Sequence, residues 1–375
     1  MHQHVAIVLN TSWNVYNFRL NLLKKLQENG YKITVISPKD EYSIKLKNEG
    51  FNYIDLKMDN DGTNIIQELK LILHLFKIYK TVNPDIILQY TIKPNIYGTL
   101  VASLLKIPVV NNISGLGTIF LKDKMVYKFA RLLYKFILRF PKKVFFQNRY
   151  DHERFLKQKL VKAENSETIP GSGIDTTRFS PIKNSIKNRS EFTFLMIARL
   201  IKDKGLIEYI EAIRVVKQNY PFIKFQLIGS LYIGNPTAIT EKELNSWIDE
   251  GLIEYLGVSD NMEKVISKVD CVVLPSYREG LSRVLLEAAS MEKPIITTDV
   301  PGCKDVVDDG INGYLCEVQN SEDLAKKMIK MFSLSLEKRE EMGIKSREKV
   351  IAEFNEDILI NKYLETIKNV FALKI

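Results

Sequence analysis

Short apolar runs alternate with amphipathic segments along most of the chain. Because the runs lack polar alternation, they predict strands that are buried on both faces of a parallel sheet. Helical periodicity between the runs predicts an α/β protein with right-handed parallel crossovers. The predicted strands are 4–9, 32–37, 51–56, 85–89, 108–111 and 143–147 in the first half, and 192–197, 225–228, 253–256, 271–274 and 294–297 in the second.

A stretch rich in turn-forming residues interrupts this pattern at 171–190 and predicts a linker. We therefore expect a Rossmann-like domain over residues 1–170 and a second one over 191–355. The last helix, 356–375, is long enough to cross back to the first domain. Two such domains are expected to face a central cleft, and ligands of these sheets bind at the carboxyl ends of the strands.

Composition narrows the class of protein. The chain has 375 residues, of which 45% are hydrophobic, as expected for two folded domains. Its three cysteines show no CxxC spacing, which disfavours a zinc site or a disulfide framework and favours reduced, cytosolic thiols. The N-terminus lacks the features of a signal peptide, and no apolar window reaches the roughly 18 residues of a membrane span.

The positive charge belongs to the first half of the chain. The formal net charge is +9; residues 1–180 contribute 27 Lys and Arg against 15 Asp and Glu, or +12, and the remainder contributes −3. Such asymmetry predicts that the first half faces something anionic, which could be nucleic acid, a phosphate-bearing substrate or a membrane surface.

Residues 122–143 concentrate this charge, with eight basic residues and one acidic residue. A basic amphipathic helix is typical of membrane-surface binding. A core helix with a basic outer face is the alternative, and both can hold together. Nucleic acid fits less well, because no recognised binding module is present. The predicted apolar stripe is Met125, Phe129, Leu132, Leu133, Phe136 and Phe140, and the predicted membrane-facing cations are Lys128, Arg131, Lys135 and Arg139.

Two cations begin the second domain. Arg199 follows its first predicted strand, and Lys204 is predicted to open the next helix. Both would point into the expected cleft, beside helix-terminus N–H groups that also favour anions. A diphosphate suits such a pair, since Arg offers a planar fork and Lys a compact charge.

Two carboxylates follow a later strand of the same domain. Glu279 lies in the loop after strand 271–274, and Glu287 lies just over one turn into the next helix. Gly280 allows close backbone approach to a ligand, and the N–H groups of Leu281 and Ser282 are expected to be free at the helix start. Carboxylates at this spacing can accept hydrogen bonds from hydroxyls on separate parts of one ligand.

These motifs resemble those of the retaining family 4 glycosyltransferases of the GT-B fold, whose signature is E-x7-E. The resemblance extends along nearly the whole chain and includes Gly173-Ile174-Asp175, Asp299-Val300-Pro301-Gly302-Cys303 and Gly310-Ile311-Asn312-Gly313. It implies a nucleotide-sugar donor whose diphosphate is held by Arg199 and Lys204. It also implies that Glu287 binds the ribose hydroxyls, that Glu279 contacts the transferred sugar, and that backbone around Gly257 and Val258 meets the base, usually uracil.

No metal or other cofactor is expected. The resemblance implies fixed cations and helix dipoles in place of a divalent ion. A DxD sequence at 59–61 is interpreted as a turn and helix cap, because Gly62 follows it and a helical pattern starts at Asn64.

The first domain departs from the family pattern. The loop after its first strand, 10–14, contains no glycine, which also argues against an NAD-dependent oxidoreductase. A histidine that many members place after a mid-domain strand is missing, so no general base is assigned. Other parts of the domain resemble bacterial polysaccharide-assembly enzymes. The candidate acceptor-side residues are Asn14, Asn17, Arg19, Lys93, Asn112 and Ser114.

The sequence thus predicts a retaining, metal-independent glycosyltransferase that uses a UDP-sugar, with an N-acetylhexosamine or its uronic derivative as the expected sugar. The expected acceptor is a polyprenyl-diphosphate-linked glycan in O-antigen, capsule or related polysaccharide assembly. The expected location is the cytoplasmic face of the inner membrane, where the protein binds the anionic surface peripherally. A UDP-sugar epimerase of the same architecture and a non-catalytic sugar-nucleotide-binding partner of an assembly complex are the alternatives.

Overall fold

The computed structural model describes residues 3–59, 64–115, 132–182, 191–232 and 235–372. The chain divides into two compact units: unit 1 comprises Met1–Gly173 and Asp357–Ile375, and unit 2 comprises Ile174–Glu356. Each unit is built on one parallel sheet. The predicted α/β class with two Rossmann-like sheets is confirmed.

Unit 1 has a seven-stranded sheet in the order β3-β2-β1-β4-β5-β6-β7. The strands near its centre are buried along their full length because helices cover both faces. The strands are β1 (His4–Val8), β2 (Lys32–Ser37), β3 (Asn52–Asp55), β4 (Ile86–Tyr90), β5 (Val109–Ile113), β6 (Lys143–Phe146) and β7 (Ser166–Thr168).

Helices pack on both faces of this sheet. The α-helices of the first 173 residues are α1 (Ser12–Glu28), α2 (Tyr42–Asn48), α3 (Ile65–Val82), α4 (Thr99–Leu104), α5 (132–137) and α6 (Arg149–Lys157), with a π-helical turn at Pro94–Gly98. One face of the sheet shares an apolar core with α1, and the opposite face shares one with α3 and α4.

The last helix of the chain belongs to unit 1, as the sequence predicted. This helix is α13 (Glu356–Ala372), and its buried side chains share the α1-side core with β1 and β4. Tyr363 is fully buried in this core, where its ring lies 5.0 Å from that of Phe145.

Unit 2 has a six-stranded sheet in the order β10-β9-β8-β11-β12-β13. Its strands are β8 (Thr193–Ile197), β9 (Lys224–Ile228), β10 (Glu254–Tyr255), β11 (Cys271–Leu274), β12 (Ile295–Thr298) and β13 (Gly313–Cys316). Its helices are α7 (Leu206–Asn219), α8 (Glu241–Asp249), α9 (Met262–Ser267), α10 (Arg283–Ser290), α11 (Ser321–Phe332) and α12 (Leu336–Glu353).

The surface of α5 differs from the sequence prediction. The side chains of Leu132, Phe136 and Phe140 are 62%, 53% and 44% exposed, whereas Tyr134 and Ile137 are buried in the core. The predicted apolar stripe is therefore divided: Leu132, Phe136 and Phe140 are exposed, whereas Leu133 is half-buried against the core. The other predicted stripe residues, Met125 and Phe129, lie outside the described residues.

No helix in the described ranges combines the length and the apolar character that crossing a bilayer requires.

Candidate functional site

A short turn after β8 places Lys204. The predicted helix start was slightly wrong, because Lys202–Lys204 forms a 3-10 turn and α7 begins only at Leu206. Gly205 joins the two at φ +76°, and a Cβ there would lie 2.0 Å from the carbonyl oxygen of Pro275. A glycine is therefore required for the turn to approach the loop after β11.

Hydrogen bonds fasten this turn to the same loop. The carbonyl oxygen of Asp203 accepts a hydrogen bond from the N–H of Tyr277 at 2.9 Å and another from the hydroxyl of Ser276 at 3.3 Å. The carboxylate of Glu208, on α7, accepts one from the hydroxyl of Tyr277 at 2.8 Å. Residues about 70 positions apart in the sequence thereby share one edge of the sheet.

Backbone contacts also fix the loop that carries Glu279. The N–H of Glu279 donates to the carbonyl of Pro301 at 3.3 Å, and the N–H of Ser282 donates to the carbonyl of Gly302 at 3.0 Å. Gly302 has φ +80°, and a Cβ there would lie 2.5 Å from the carbonyl oxygen of Glu279. The expectation of a free Ser282 N–H was wrong, since this second loop takes it; the Ser282 hydroxyl caps α10 by accepting from the N–H of Leu285.

Lys204 and Glu279 meet in an ion pair. The Lys204 Nζ donates to Glu279 Oε1, and the two side chains are only 17% and 14% exposed. The sequence assigned these residues to separate parts of a ligand and did not predict their contact. Removing two charges from water is costly, so each group gains from a partner of opposite charge. An arriving anion that binds Lys204 therefore competes with Glu279, which is then released to accept hydrogen bonds from hydroxyl groups.

Arg199 is a second cation at the carboxyl edge of this sheet. Its side chain is exposed, and its guanidinium carbon lies 5.2 Å from the centre of the Tyr232 ring. Stacking of this kind holds the planar fork in place without neutralising it. Arg199 forms no ion pair within the described ranges, so its N–H groups can bind an anion.

Glu287 is buried in the second turn of α10, where its Oε1 lies 3.4 Å from Nη2 of Arg283. Burial raises the pKa of the Glu287 carboxyl, and the positive charges of Arg283 and Arg178 partly oppose this shift. Arg178 in turn lies 3.6 Å from Glu263 of α9. A buried carboxylate with one long charged contact is suited to accept further hydrogen bonds from a ligand.

Gly257 and Val258 follow β10 at the same edge of the sheet. Gly257 has φ +70°, and its carbonyl accepts a hydrogen bond from the N–H of Gly229 at 2.8 Å. Gly229 packs against the carbonyl of Ala198, directly before Arg199, where a Cβ would lie only 1.7 Å away. Unit 2 therefore brings the predicted cations, carboxylates and backbone segment to one edge.

The candidates in unit 1 are more varied. Asn14 and Asn17 lie at the start of α1; the N–H of Asn14 donates to Thr11 Oγ1, and the Asn17 amide donates to the carbonyl of Trp13. Lys93 is occupied by an ion pair with Glu68 at 2.5 Å, in which both side chains are mostly buried. Arg19 and Asn112 are buried, and the exposed Ser114 hydroxyl donates to Asn112 Oδ1 at 3.5 Å.

Of the four predicted membrane-facing cations, Lys135 and Arg139 are exposed beside Leu132, Phe136 and Phe140. Lys128 and Arg131 lie outside the described residues, as does most of the DxD sequence. We call Leu132, Lys135, Phe136, Arg139 and Phe140 the α5 surface.

Sequence reasoning missed several residues that shape the site. Tyr232, Arg178 and Glu263 carried no local signal, because their roles depend on contacts between distant segments. The positive φ values of Gly205 and Gly302 had a partial signal in the sequence, since each glycine stands in a turn-forming motif.

We predict that Glu287→Gln stabilises the protein at neutral pH. A carboxyl whose folded-state pKa is raised costs stability once the pH exceeds its ordinary value, and the amide removes that cost. The gain should be absent below the ordinary glutamate pKa, grow as the pH rises from that value to the raised one, and then stay constant. Thermal unfolding as a function of pH measures it.

The control for this prediction is Glu250→Gln. Hydrogen bonds from Arg214 and Ser246 lower the pKa of Glu250, so its amide variant should show no gain at neutral pH. A loss of stability in Glu287→Gln that persists across the pH range would contradict the assignment of a destabilising buried charge.

Two family models match the chain. "Glycosyl transferase 4-like" covers residues 4–148, and "Glycosyl transferases group 1" covers residues 179–349, which include Arg199, Lys204, Gly257, Glu279 and Glu287. Together they span most of both units.

Relatives and solved structures agree with these models. The chain is 29% identical to the Campylobacter jejuni N,N'-diacetylbacillosaminyl-diphospho-undecaprenol alpha-1,3-N-acetylgalactosaminyltransferase, over 98% of this chain and all of the relative. It is 25% identical to the Escherichia coli UDP-Gal:alpha-D-GlcNAc-diphosphoundecaprenol alpha-1,3-galactosyltransferase, over 82% and 80%. The structure resembles that of Anabaena HepE in complex with UDP and glucose, with a TM-score of 0.82 and 17% identity over 98% and 100% of the two chains.

The chain has two parallel sheets and resembles solved structures of the GT-B fold. Family models match both of its halves, and a relative matches it over its full length. The chain belongs to the glycosyltransferases, with a 4-like N-terminal half and a group 1 C-terminal half.

Proposed function

We propose that this enzyme moves a sugar from a UDP-sugar to a polyprenyl-diphosphate-linked glycan during assembly of a bacterial surface polysaccharide. The observation that carries the donor half is the pairing of Lys204 with Glu279, beside Arg199 and Glu287, at one edge of unit 2. Cations and carboxylates arranged in this way match a ligand that has a diphosphate flanked by two hydroxyl-bearing sugars.

The donor would be recognised group by group. Lys204 and Arg199 bind the diphosphate, and Glu287 accepts hydrogen bonds from the ribose hydroxyls. Backbone at Gly257 and Val258 contacts the uracil. As the sugar leaves, negative charge grows on the diphosphate, and fixed cations stabilise it without reorganising. We propose that these side chains, with the N-terminal end of α10 near Leu281, do this without a metal ion.

Transfer with retention follows from a front-face path. The bond between the anomeric carbon and the diphosphate oxygen breaks, and the acceptor hydroxyl oxygen forms a new bond on the same face. The departing phosphate oxygen takes the hydroxyl proton, so no separate general base is needed. Glu279, freed from Lys204, holds hydroxyls of the transferred sugar in place.

The relatives support the acceptor half of the proposal. The names of the C. jejuni and E. coli relatives each specify a single N-acetylated sugar on a diphospho-undecaprenol as the acceptor. A Staphylococcus aureus relative, 24% identical over 92% of both chains, is named for capsular polysaccharide biosynthesis. We therefore propose an acceptor with one sugar on a polyprenyl diphosphate and, by the same reasoning, a UDP-hexose or UDP-N-acetylhexosamine donor.

A transfer assay tests the function directly. Purified enzyme is incubated with a panel of UDP-sugars and a polyprenyl-diphosphate monosaccharide, with and without EDTA. We expect one donor to yield free UDP and a lipid-linked disaccharide, at a rate that EDTA leaves unchanged within about twofold. An isomerised donor would instead indicate an epimerase, and UDP-sugar binding without turnover would indicate a non-catalytic partner.

We also propose that the α5 surface lies on the anionic cytoplasmic face of the inner membrane, where a lipid-linked acceptor resides. Exposed aromatic and aliphatic side chains next to cations suit an interface that has apolar chains beneath anionic headgroups. The basic excess of the first half supports the same surface.

Charge reversal tests the membrane proposal. Lys135→Glu with Arg139→Glu should reduce co-sedimentation with vesicles of phosphatidylglycerol and phosphatidylethanolamine by roughly tenfold or more, since each basic residue near such a surface contributes about 1 kcal/mol. The control is Lys338→Glu with Lys345→Glu, two exposed lysines of α12 in unit 2, which changes net charge equally. Equal losses in the two double variants would contradict a specific role for the α5 surface.

A further inference from the structure

Arg19 is a buried cation that forms no ion pair with the residues that the structure describes. Only 4% of its surface is exposed, although guanidinium groups stay charged at any ordinary pH. Its Nη1 donates to the carbonyl of Phe18 at 2.8 Å, and its guanidinium carbon lies 4.7 Å from the centre of the Tyr90 ring. No carboxylate of the described residues pairs with it, and its Nε has no hydrogen-bond acceptor there. A buried charge is costly unless a counter-ion accompanies it.

The backbone directly after Tyr90 is strained. Thr91 has φ +64°, which is a rare conformation for a β-branched residue, and its buried hydroxyl has no hydrogen-bond partner. The π-helical turn Pro94–Gly98 follows, and it contains Asn95, whose buried Oδ1 also lacks a partner. Strain, a π-turn and unmatched buried polar atoms are all enriched at ligand-binding sites, and here they coincide at the carboxyl end of β4.

A polar network continues from Arg19 toward the surface. The hydroxyl of Tyr363, from the C-terminal helix, accepts a hydrogen bond from Asn112 Nδ2 at 3.0 Å, and its ring lies 6.1 Å from that of Tyr90. Asn112 Oδ1 accepts from the exposed Ser114 hydroxyl at 3.5 Å. The polar groups of Tyr363, Asn112 and Ser114 therefore extend from beside the Tyr90 ring, over which Arg19 packs, to solvent.

We infer that Arg19 is the anion-binding residue of the acceptor site in unit 1, and that its ligand is the diphosphate of the lipid-linked acceptor. This inference rests on the proposed function, which gives the acceptor its diphosphate. The donor diphosphate has its own cations in unit 2, Arg199 and Lys204. A second, separate diphosphate therefore needs a cation of its own. Arg19 can serve because its buried positive charge is not paired with a carboxylate of the described residues.

The single sugar of the proposed acceptor adds a further reason. Its reactive hydroxyl and its diphosphate belong to the same monosaccharide unit, so an enzyme that binds the hydroxyl also encounters the diphosphate. Arg is well suited to this ligand, because its planar fork can donate two parallel hydrogen bonds to phosphate oxygens. Tyr363, Asn112 and Ser114 would order the neighbouring hydroxyl groups.

Two substitutions separate charge from shape. Arg19→Met keeps an unbranched stem and removes the charge, and Arg19→Lys keeps the charge without the fork. We expect Arg19→Met to raise KM for the polyprenyl-diphosphate acceptor at least tenfold while KM for the UDP-sugar changes less than twofold. Arg19→Lys should fall between it and wild type. The control is Arg149→Met, which removes an exposed arginine of α6 in the same unit.

A binding measurement gives a readout independent of transfer. With UDP saturating the donor site, farnesyl diphosphate should raise the Tm of wild type and of Arg149→Met, and should leave that of Arg19→Met unchanged. The Tm of Arg19→Met without ligand should not fall, since the substitution removes an uncompensated buried charge.

The outcomes distinguish the two proposals. Arg19-dependent binding of farnesyl diphosphate without any sugar transfer would support the anion site and overturn the proposed function. Transfer with an unchanged acceptor KM in Arg19→Met would uphold the function and overturn the anion site. A lowered Tm with unchanged farnesyl diphosphate binding would also overturn it, because Arg19 would then be structural. If Arg19→Met does not fold, a wild-type acceptor KM in Arg19→Lys would contradict the need for a guanidinium fork.

Discussion

The ion pair between Lys204 and Glu279 is the interaction on which the donor site depends. It joins a turn after β8 to a loop after β11, and it forms because two glycines let backbones approach that no side chain would allow. Gly205 allows the first turn to pack against the backbone of Pro275, and Gly302 allows its loop to pack against the backbone of Glu279. The pair holds both charges at the carboxyl edge of the sheet.

The two units present contrasting electrostatic arrangements. In unit 2 the ligand-facing charges are balanced, with Lys204 against Glu279 and Arg283 against Glu287. In unit 1 the charge is unbalanced, because Arg19 is buried without a carboxylate in the described ranges while the surface of α5 carries further cations. In a site whose charges are already paired, a ligand that binds a cation must displace the carboxylate paired with it. In a site with an unpaired cation, an anionic ligand supplies the missing negative charge.

Much of the fold and of the candidate site in unit 2 could be predicted from the sequence. The features that could not be predicted have physical reasons. Continuous apolar runs predicted β8 and β11 and the residues that follow them, because a strand buried on both faces has no polar alternation. The short strand β7, whose three residues are all polar, lacks that signal. The sequence left open which apolar side chains of α5 are buried, because the segment has more of them than one face holds and only packing selects among them. The contact of Lys204 with Glu279 joins residues 75 positions apart, which no local pattern encodes.

Calorimetric titration with UDP and with uridine tests most directly whether Lys204 exchanges Glu279 for the donor diphosphate. Wild type should bind UDP far more tightly than uridine, and Lys204→Ala should lose at least about tenfold in UDP affinity, the size of one charge-assisted hydrogen bond, while uridine binding is unchanged. Glu279→Gln should bind UDP more tightly than wild type, because the lysine loses its competing partner. Weaker UDP binding in Glu279→Gln, together with unchanged binding in Lys204→Ala, would contradict the exchange.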